Sequence, residues 1–153
     1  MKPLIVLIVV FCLALLGTIV IDRDIDYYFS GRLAMAAMLL FTSIGHFKFA
    51  EGMSMMMPPF IPSRKLMVYI TGFIEIAAAI GLLIPSIAKA TGWFLIAFLV
   101  VLLPANIYAA TKRVNYEKGT YDGPGPVYLW FRVPLQLFFI GWVYFFVVKG
   151  PTL

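Results

Sequence analysis

MVYITGFIEIAAAIGLLI, residues Met67–Ile84, is the stretch on which the fold turns. Its 18 residues carry one charge, Glu75, at the ninth position. A membrane-spanning helix needs about 20 mostly apolar residues. In lipid a backbone must satisfy its own N–H and C=O groups, so a run of this kind is expected to be helical. Thr71, Gly72, Ala78 and Ala79 lie at helical spacing around Glu75. Small residues on one face let a second helix approach closely. The carboxyl is therefore expected to point into a bundle and not at lipid. It would be kept neutral by a proton or placed beside a cation, because a charge at that depth costs at least about 2.5–3.5 kcal/mol.

Four more runs of this type flank it: Leu4–Ile21, Leu33–Ala50, Trp93–Ala110 and Val133–Val148. The expected fold class is an all-α membrane protein with five spans in a single domain over residues 1–153. The breaks have chemical causes. Asp22 to Asp26 end the first span, Pro58, Pro59 and Pro62 interrupt the second connection, and Pro85 follows the third span. Gly123-Pro124-Gly125-Pro126 forces turns before the fifth. Leu4–Ile21 reads as a retained signal-anchor helix. It is longer than the roughly 7–15 residues of a signal-peptide core, and no small-x-small site precedes the charges that follow it.

Composition agrees. The chain is 63% hydrophobic and 12% charged, where a soluble domain has roughly 45–50% and 25%. So little polar surface cannot cover a globule in water. The net charge of +5 is spread over the connections. It forms no basic stripe for nucleic acid, and a membrane-lipid environment is expected instead. Counting along five spans, one side holds Lys2, Lys48, Arg64, Lys65, Lys112, Arg113, Lys118 and Arg132, and the other Arg23, Arg32, Lys89 and Lys149. The bias predicts a cytoplasmic N-terminus and an external C-terminus, and the expected location is the inner (cytoplasmic) membrane.

The second connection, Glu51–Lys65, carries Met53, Met55, Met56, Met57, Phe60 and Ile61. It is too apolar for a free loop and reads as an interfacial or shallow re-entrant segment. Thioethers can hold Cu(I). The cluster contains neither cysteine nor histidine, however, and methionine is a common adaptable packer. No metal site is therefore expected.

Inside the spans, polar residues mark a candidate site. His46 is the only histidine, with Thr42 and Ser43 one turn before it. Asn106 follows Pro104, which leaves the Val100 carbonyl without its helical donor. Arg132 and Gln136 are spaced i, i+4 on one face. By depth all four fall at the same end of the bundle, and Glu75 lies about 12 Å from that edge at 1.5 Å per residue. His46, Glu75, Asn106, Arg132 and Gln136 are thus expected to converge on one polar cavity. A carboxyl and an imidazole can exchange a proton with a quinol, while Arg132 could instead hold an anionic lipid or a small acid. Inter-helix hydrogen bonding alone is the plainer reading, above all for Asn106 and Gln136.

Other chemistries are excluded. One histidine cannot form bis-His haem ligation. One cysteine, Cys12, permits no intrachain disulfide and no iron–sulfur cluster held by this chain alone. The signatures GxxxxGK[ST], HExxH and GxSxG do not occur. An electron carrier would be a quinone or belong to a partner, and no covalently bound cofactor is expected.

Several segments occur in a recognisable order: Gly45-His46-Phe47, Met57-Pro58-Pro59-Phe60-Ile61-Pro62, Tyr69-Ile70-Thr71-Gly72-Phe73-Ile74-Glu75, Ala79-Ile80-Gly81-Leu82-Leu83-Ile84-Pro85, Pro104-Ala105-Asn106-Ile107-Tyr108 and Arg132-Val133-Pro134-Leu135-Gln136. Over residues 31–148 the set resembles the DoxX family of small bacterial membrane proteins. The resemblance implies a four-helix core, with the first span an N-terminal addition. It also implies an accessory subunit of a quinone-linked membrane redox system, working with other protein subunits. The alternative is a non-enzymatic assembly or scaffolding subunit that meets its partner through the loop Thr111–Tyr128. No catalytic residue set comes with the resemblance, so the five polar residues stand as site candidates without assigned chemistry.

Overall fold

The computed structural model describes residues 2–21 and 23–151. Its elements are α1 (Lys2–Ile21), α2 (Tyr27–Lys48), a short α3 (Ala50–Ser54), α4 (Arg64–Leu83), α5 (Pro85–Thr111) and α6 (Leu129–Val143). A 3-10 turn at Pro126–Tyr128 leads into α6, and a π-helical turn at Tyr144–Val148 extends it. Five stretches, α1, α2, α4, α5 and Pro126–Val148, are long and apolar enough to cross a membrane, as a multi-pass membrane protein requires. Among the described residues no strand forms, only an isolated antiparallel bridge between Asn115 and Thr120.

Four helices make the core. α2 packs on α4, α4 on α5, and α5 on α6 and its π turn, which returns to α2. α1 lies outside this ring against α2. Leu7 is its one fully buried apolar side chain. Phe11 also reaches across to Trp142 and Phe146, with ring centroids at 5.0 and 5.3 Å. The core alternates Met35, Leu39, Leu82, Leu95 and Val143 with Ala34, Ala36, Ala78, Ala79 and Ala88. Without water to drive helices together in lipid, close van der Waals contact has to hold them, and small residues permit it. Gly72 is the clearest case: a Cβ there would sit 2.9 Å from the Cβ of His46. The small face read around Glu75 is thus the α2–α4 interface.

Several boundaries differ from the sequence expectation, among them the starts of α4 at Arg64 and of α6 at Leu129, each earlier than expected. α2 starts at Tyr27 and not at Leu33, because Asp26 caps it: its Oδ1 accepts from the Phe29 N–H at 2.8 Å. Arg32 is therefore not an edge residue but sits in the second turn, 7% exposed. α5 starts at Pro85 and not at Trp93. Proline at a first helical position costs no hydrogen bond, so the residue expected to break the chain begins a helix. At 27 residues α5 is about 40 Å long. The segment after α2 is not wholly irregular either. α3 continues almost directly from α2 and packs on α4, burying Ala50 and Gly52.

The N-terminus of α1, the C-termini of α2 and α5, and the starts of α4 and α6 share one end, called here the near end. Lys2 fastens it, pairing with Glu117 of the α5–α6 loop at 2.8 Å.

Candidate functional site

A cavity of about 430 Å³ opens at the near end, within the roughly 300–1,000 Å³ typical of small-molecule sites. His46, Glu75, Asn106 and Arg132 all line it. Four of the five candidates therefore do converge.

α2 and α4 build the floor. Their closeness at Gly72 brings Thr42 and His46 against Glu75. The Thr42 hydroxyl is 2.8 Å from Glu75 Oε2 and 3.0 Å from the Leu39 carbonyl oxygen. His46 Nδ1 is 3.1 Å from the Thr42 carbonyl oxygen and 3.4 Å from the same Glu75 oxygen. Glu75 is only 6% exposed. The Thr42 hydroxyl owns one proton and faces two acceptors. With a proton on Glu75, the carboxyl donates to Thr42, which donates to Leu39. Without it, Thr42 turns and donates to the carboxylate. The trio can therefore take up and release a proton by rotating one hydroxyl. With Nδ1 engaged, Nε2 of His46 is the ring nitrogen left to meet a ligand.

Gln136 does not reach this cavity. It is buried on α6, where its Oε1 accepts from Asn106 Nδ2 at 2.9 Å and its Nε2 donates to the Leu99 carbonyl oxygen. Through Asn106 and the Leu99 carbonyl, Gln136 stitches α6 to α5 on both sides of Pro104, a proline that removes one of the helix's own hydrogen bonds. Gln136 therefore supports Asn106 from behind.

The walls are apolar. Phe41, Ile44, Val68 and Leu102 face the cavity, as do Met53, Met56 and Met57. The methionine-rich segment thus covers the near end of the bundle, with Met53 Cε close to Gly45. Around the mouth stand Lys2, Lys48, Arg132, Tyr116 and Glu117. Arg132 Cζ lies 5.6 Å from the Tyr128 ring centroid, and Lys48 Nζ lies 5.4 Å from that of Phe49. The Lys2 ammonium holds the Glu117 carboxyl below its ordinary value. Burial is the main cause pushing the Tyr116 phenol above its own, so it stays neutral. Sequence reading missed Lys48, Tyr116 and Glu117. Nothing in their local pattern shows that the α5–α6 loop folds back over the bundle.

The loop expected to face a partner is held by the chain itself. Besides the Lys2 clasp, Gly52 of α3 packs so tightly beneath the Tyr116 backbone that no larger residue would fit. Among the described residues no group of three or more His, Cys, Asp or Glu is placed to hold a metal.

A family model described as a domain of unknown function, DUF8561, matches residues 35–147. The chain belongs to that family. The match runs from α2 to the π turn and leaves α1 outside. It also corrects the DoxX resemblance. The shared pieces, glycines and small residues at crossings and prolines with aromatics at span ends, are what any tightly packed helical membrane bundle needs. They specify packing, not ancestry. The four-helix core stands, but the DUF8561 family brings no activity with it. No curated protein and no solved structure matches the chain.

Proposed function

We propose that this is a multi-pass inner-membrane protein that binds a membrane-soluble amphiphile in the near-end cavity. One observation carries the reading: a cavity with apolar walls that ends on Thr42, His46 and the buried Glu75. An intramembrane carboxyl is expensive, and a structural role would need only a matched partner. Here it lines an open cavity beside an imidazole. The near end, with the N-terminus, lies in the cytoplasm. Removing the buried Arg32 from the far-side count of four leaves three basic residues there against eight.

The test is extraction of the full-length protein from native membranes in mild detergent, with mass spectrometry of retained small molecules. A lipid-soluble ligand in the wild type, reduced in Glu75→Gln at unchanged fold, is the expected result. No retained ligand, or identical retention in both, would overturn the proposal.

A second reading makes the ligand a quinone and the protein an accessory subunit of a membrane redox complex. The 3.4 Å approach of His46 to Glu75 favours it, since quinol chemistry needs a donor and a proton acceptor side by side. It expects quinone among the extracted molecules and loss of quinone-linked turnover in Glu75→Gln. The scaffolding role remains a separate proposal. Its contact surface would be the Thr111–Tyr128 loop, which is held at Tyr116 and Glu117 but keeps Tyr121 and Val127 exposed, and mild-detergent pull-down should find a partner there.

A further inference from the structure

The cavity's mouth and floor differ in charge. Four charged residues ring the mouth: Lys2, Lys48, Glu117 and Arg132. Lys2 and Glu117 cancel one another at 2.8 Å. Among the described residues neither Lys48 nor Arg132 has an ion-pair partner within 4.0 Å. Each cation lies against an aromatic ring. Lys48 is the last residue of α2 and Arg132 the fourth of α6, so both lie within one turn of the near end. Arg132 is moreover only partly exposed. A guanidinium withdrawn from water without an anion loses solvation and regains little from one tyrosine face. Its planar fork suits a carboxylate or a phosphate.

We infer that the ligand is an acidic amphiphile, whose carboxylate or phosphate sits between Arg132 and Lys48 and whose hydrocarbon chain lies along Phe41, Ile44, Leu102 and the methionines. This rests on the amphiphile reading above and adds the chemistry of the head group. The polarity fits the bilayer. The two cations lie at headgroup level, the wall beneath them is apolar, and Thr42 is six residues inside the end of α2, about 9 Å deep. The methionine side chains, flexible and polarisable, adapt to a chain of variable kink. A neutral ligand would leave both cations unused.

The test uses the full-length protein in a neutral maltoside detergent, with cis-parinaric acid as the fluorescent probe. Saturable binding is expected, displaced by oleate and by 1-oleoyl lysophosphatidate but not by uncharged monoolein. Inorganic phosphate at the same concentration should not compete, because it lacks the chain. Arg132→Gln and Lys48→Gln should each weaken probe binding about ten- to a hundredfold, as loss of a charge-assisted bond does. Arg132→Lys should restore part of it. Lys48 is exposed at a helix end, so Lys48→Gln keeps the test open should Arg132→Gln fail to fold.

If monoolein or ubiquinone competes as well as oleate and the cation variants bind normally, the acidic head group is wrong while the amphiphile reading survives. If inorganic phosphate competes equally, the site takes a small anion and the inference falls. If no probe binds saturably to the wild type, both readings fall.

Discussion

The approach of α2 to α4 at Gly72 positions the whole floor of the cavity, and Gly72→Ala measures it. A Cβ at 72 would stand 2.9 Å from the Cβ of His46, an atom fixed to its backbone and unable to swing away. Overpacking of this kind costs about 1–3 kcal/mol. Alanine in place of glycine gains about 1 kcal/mol in a helix. The net expectation is a loss of about 0–2 kcal/mol, with α2 pushed off α4. Gly17 on α1 has nothing within 4 Å of its added Cβ, so Gly17→Ala carries the propensity gain alone. Subtracting one from the other isolates the overpacking term, about 1–3 kcal/mol. Reversible unfolding in mixed detergent and dodecyl sulfate micelles, followed by helical circular dichroism, gives both values. The displaced Gly72→Ala protein should also lose ligand. If the two variants agree within about 0.5 kcal/mol and bind ligand equally, the helices are not in contact there. Thr42 and His46 would then reach Glu75 by some route other than close α2–α4 packing.

Two other tests bear on the supporting structure. The Asn106–Gln136 bond should show in a double-mutant cycle of Asn106→Leu and Gln136→Leu. A coupling of about 0.6 kcal/mol, and no more than about 1.7, is expected for a hydrogen bond between membrane helices. A coupling of zero would break the stitch between α5 and α6. The Lys2–Glu117 clasp should depend on pH in one direction. Glu117 is held below its ordinary value of 4.5 by Lys2, so the clasp is intact at neutral pH and opens only as the pH falls through that lowered value. Both groups are exposed, so the effect on global stability should be slight. Distance measurement between spin labels on the start of α1 and the loop should show separation in acid and in Glu117→Gln at neutral pH. Opening on raising the pH from 5 to 8 would contradict the sign.

Much of this was legible because lipid imposes one strong rule. A long apolar run must be a helix, so the five spans follow from residue type alone, and residues at one end of successive spans must share a depth. That is why His46, Glu75, Asn106 and Arg132 could be assembled without coordinates. Depth says nothing about rotation about the helix axis, and Gln136 shows the consequence: it has the right height but lies behind Asn106. Short-range chemistry moved the boundaries. The Asp26 cap extends α2 through Arg32, and Pro85 starts a helix because its missing N–H falls where none is needed. The tertiary path of the α5–α6 loop was out of reach. It is held by the Lys2–Glu117 ion pair, by the close approach of Gly52 under Tyr116 and by the Phe49–Tyr116 ring contact, between segments more than sixty residues apart in sequence. Short motifs misled in the opposite sense, since sequence pieces that serve close packing look alike across unrelated bundles.

The position of α1 has a consequence for entry kinetics. Lys2 and Pro3 line the cavity, yet their helix lies outside the segment that matches the DUF8561 family. The floor comes from α2 and α4 within that segment, and part of the mouth from the tip of a helix that packs along α2 through Leu7 and is clasped at its start by an exposed ion pair. On the proposed amphiphile reading, how fast a ligand enters and how tightly it is held should therefore be set by different parts of the chain. Substitutions in the first turn of α1 should alter association and dissociation rates together, leaving their ratio close to that of the wild type. Substitutions at Thr42, His46 or Glu75 should change the ratio itself.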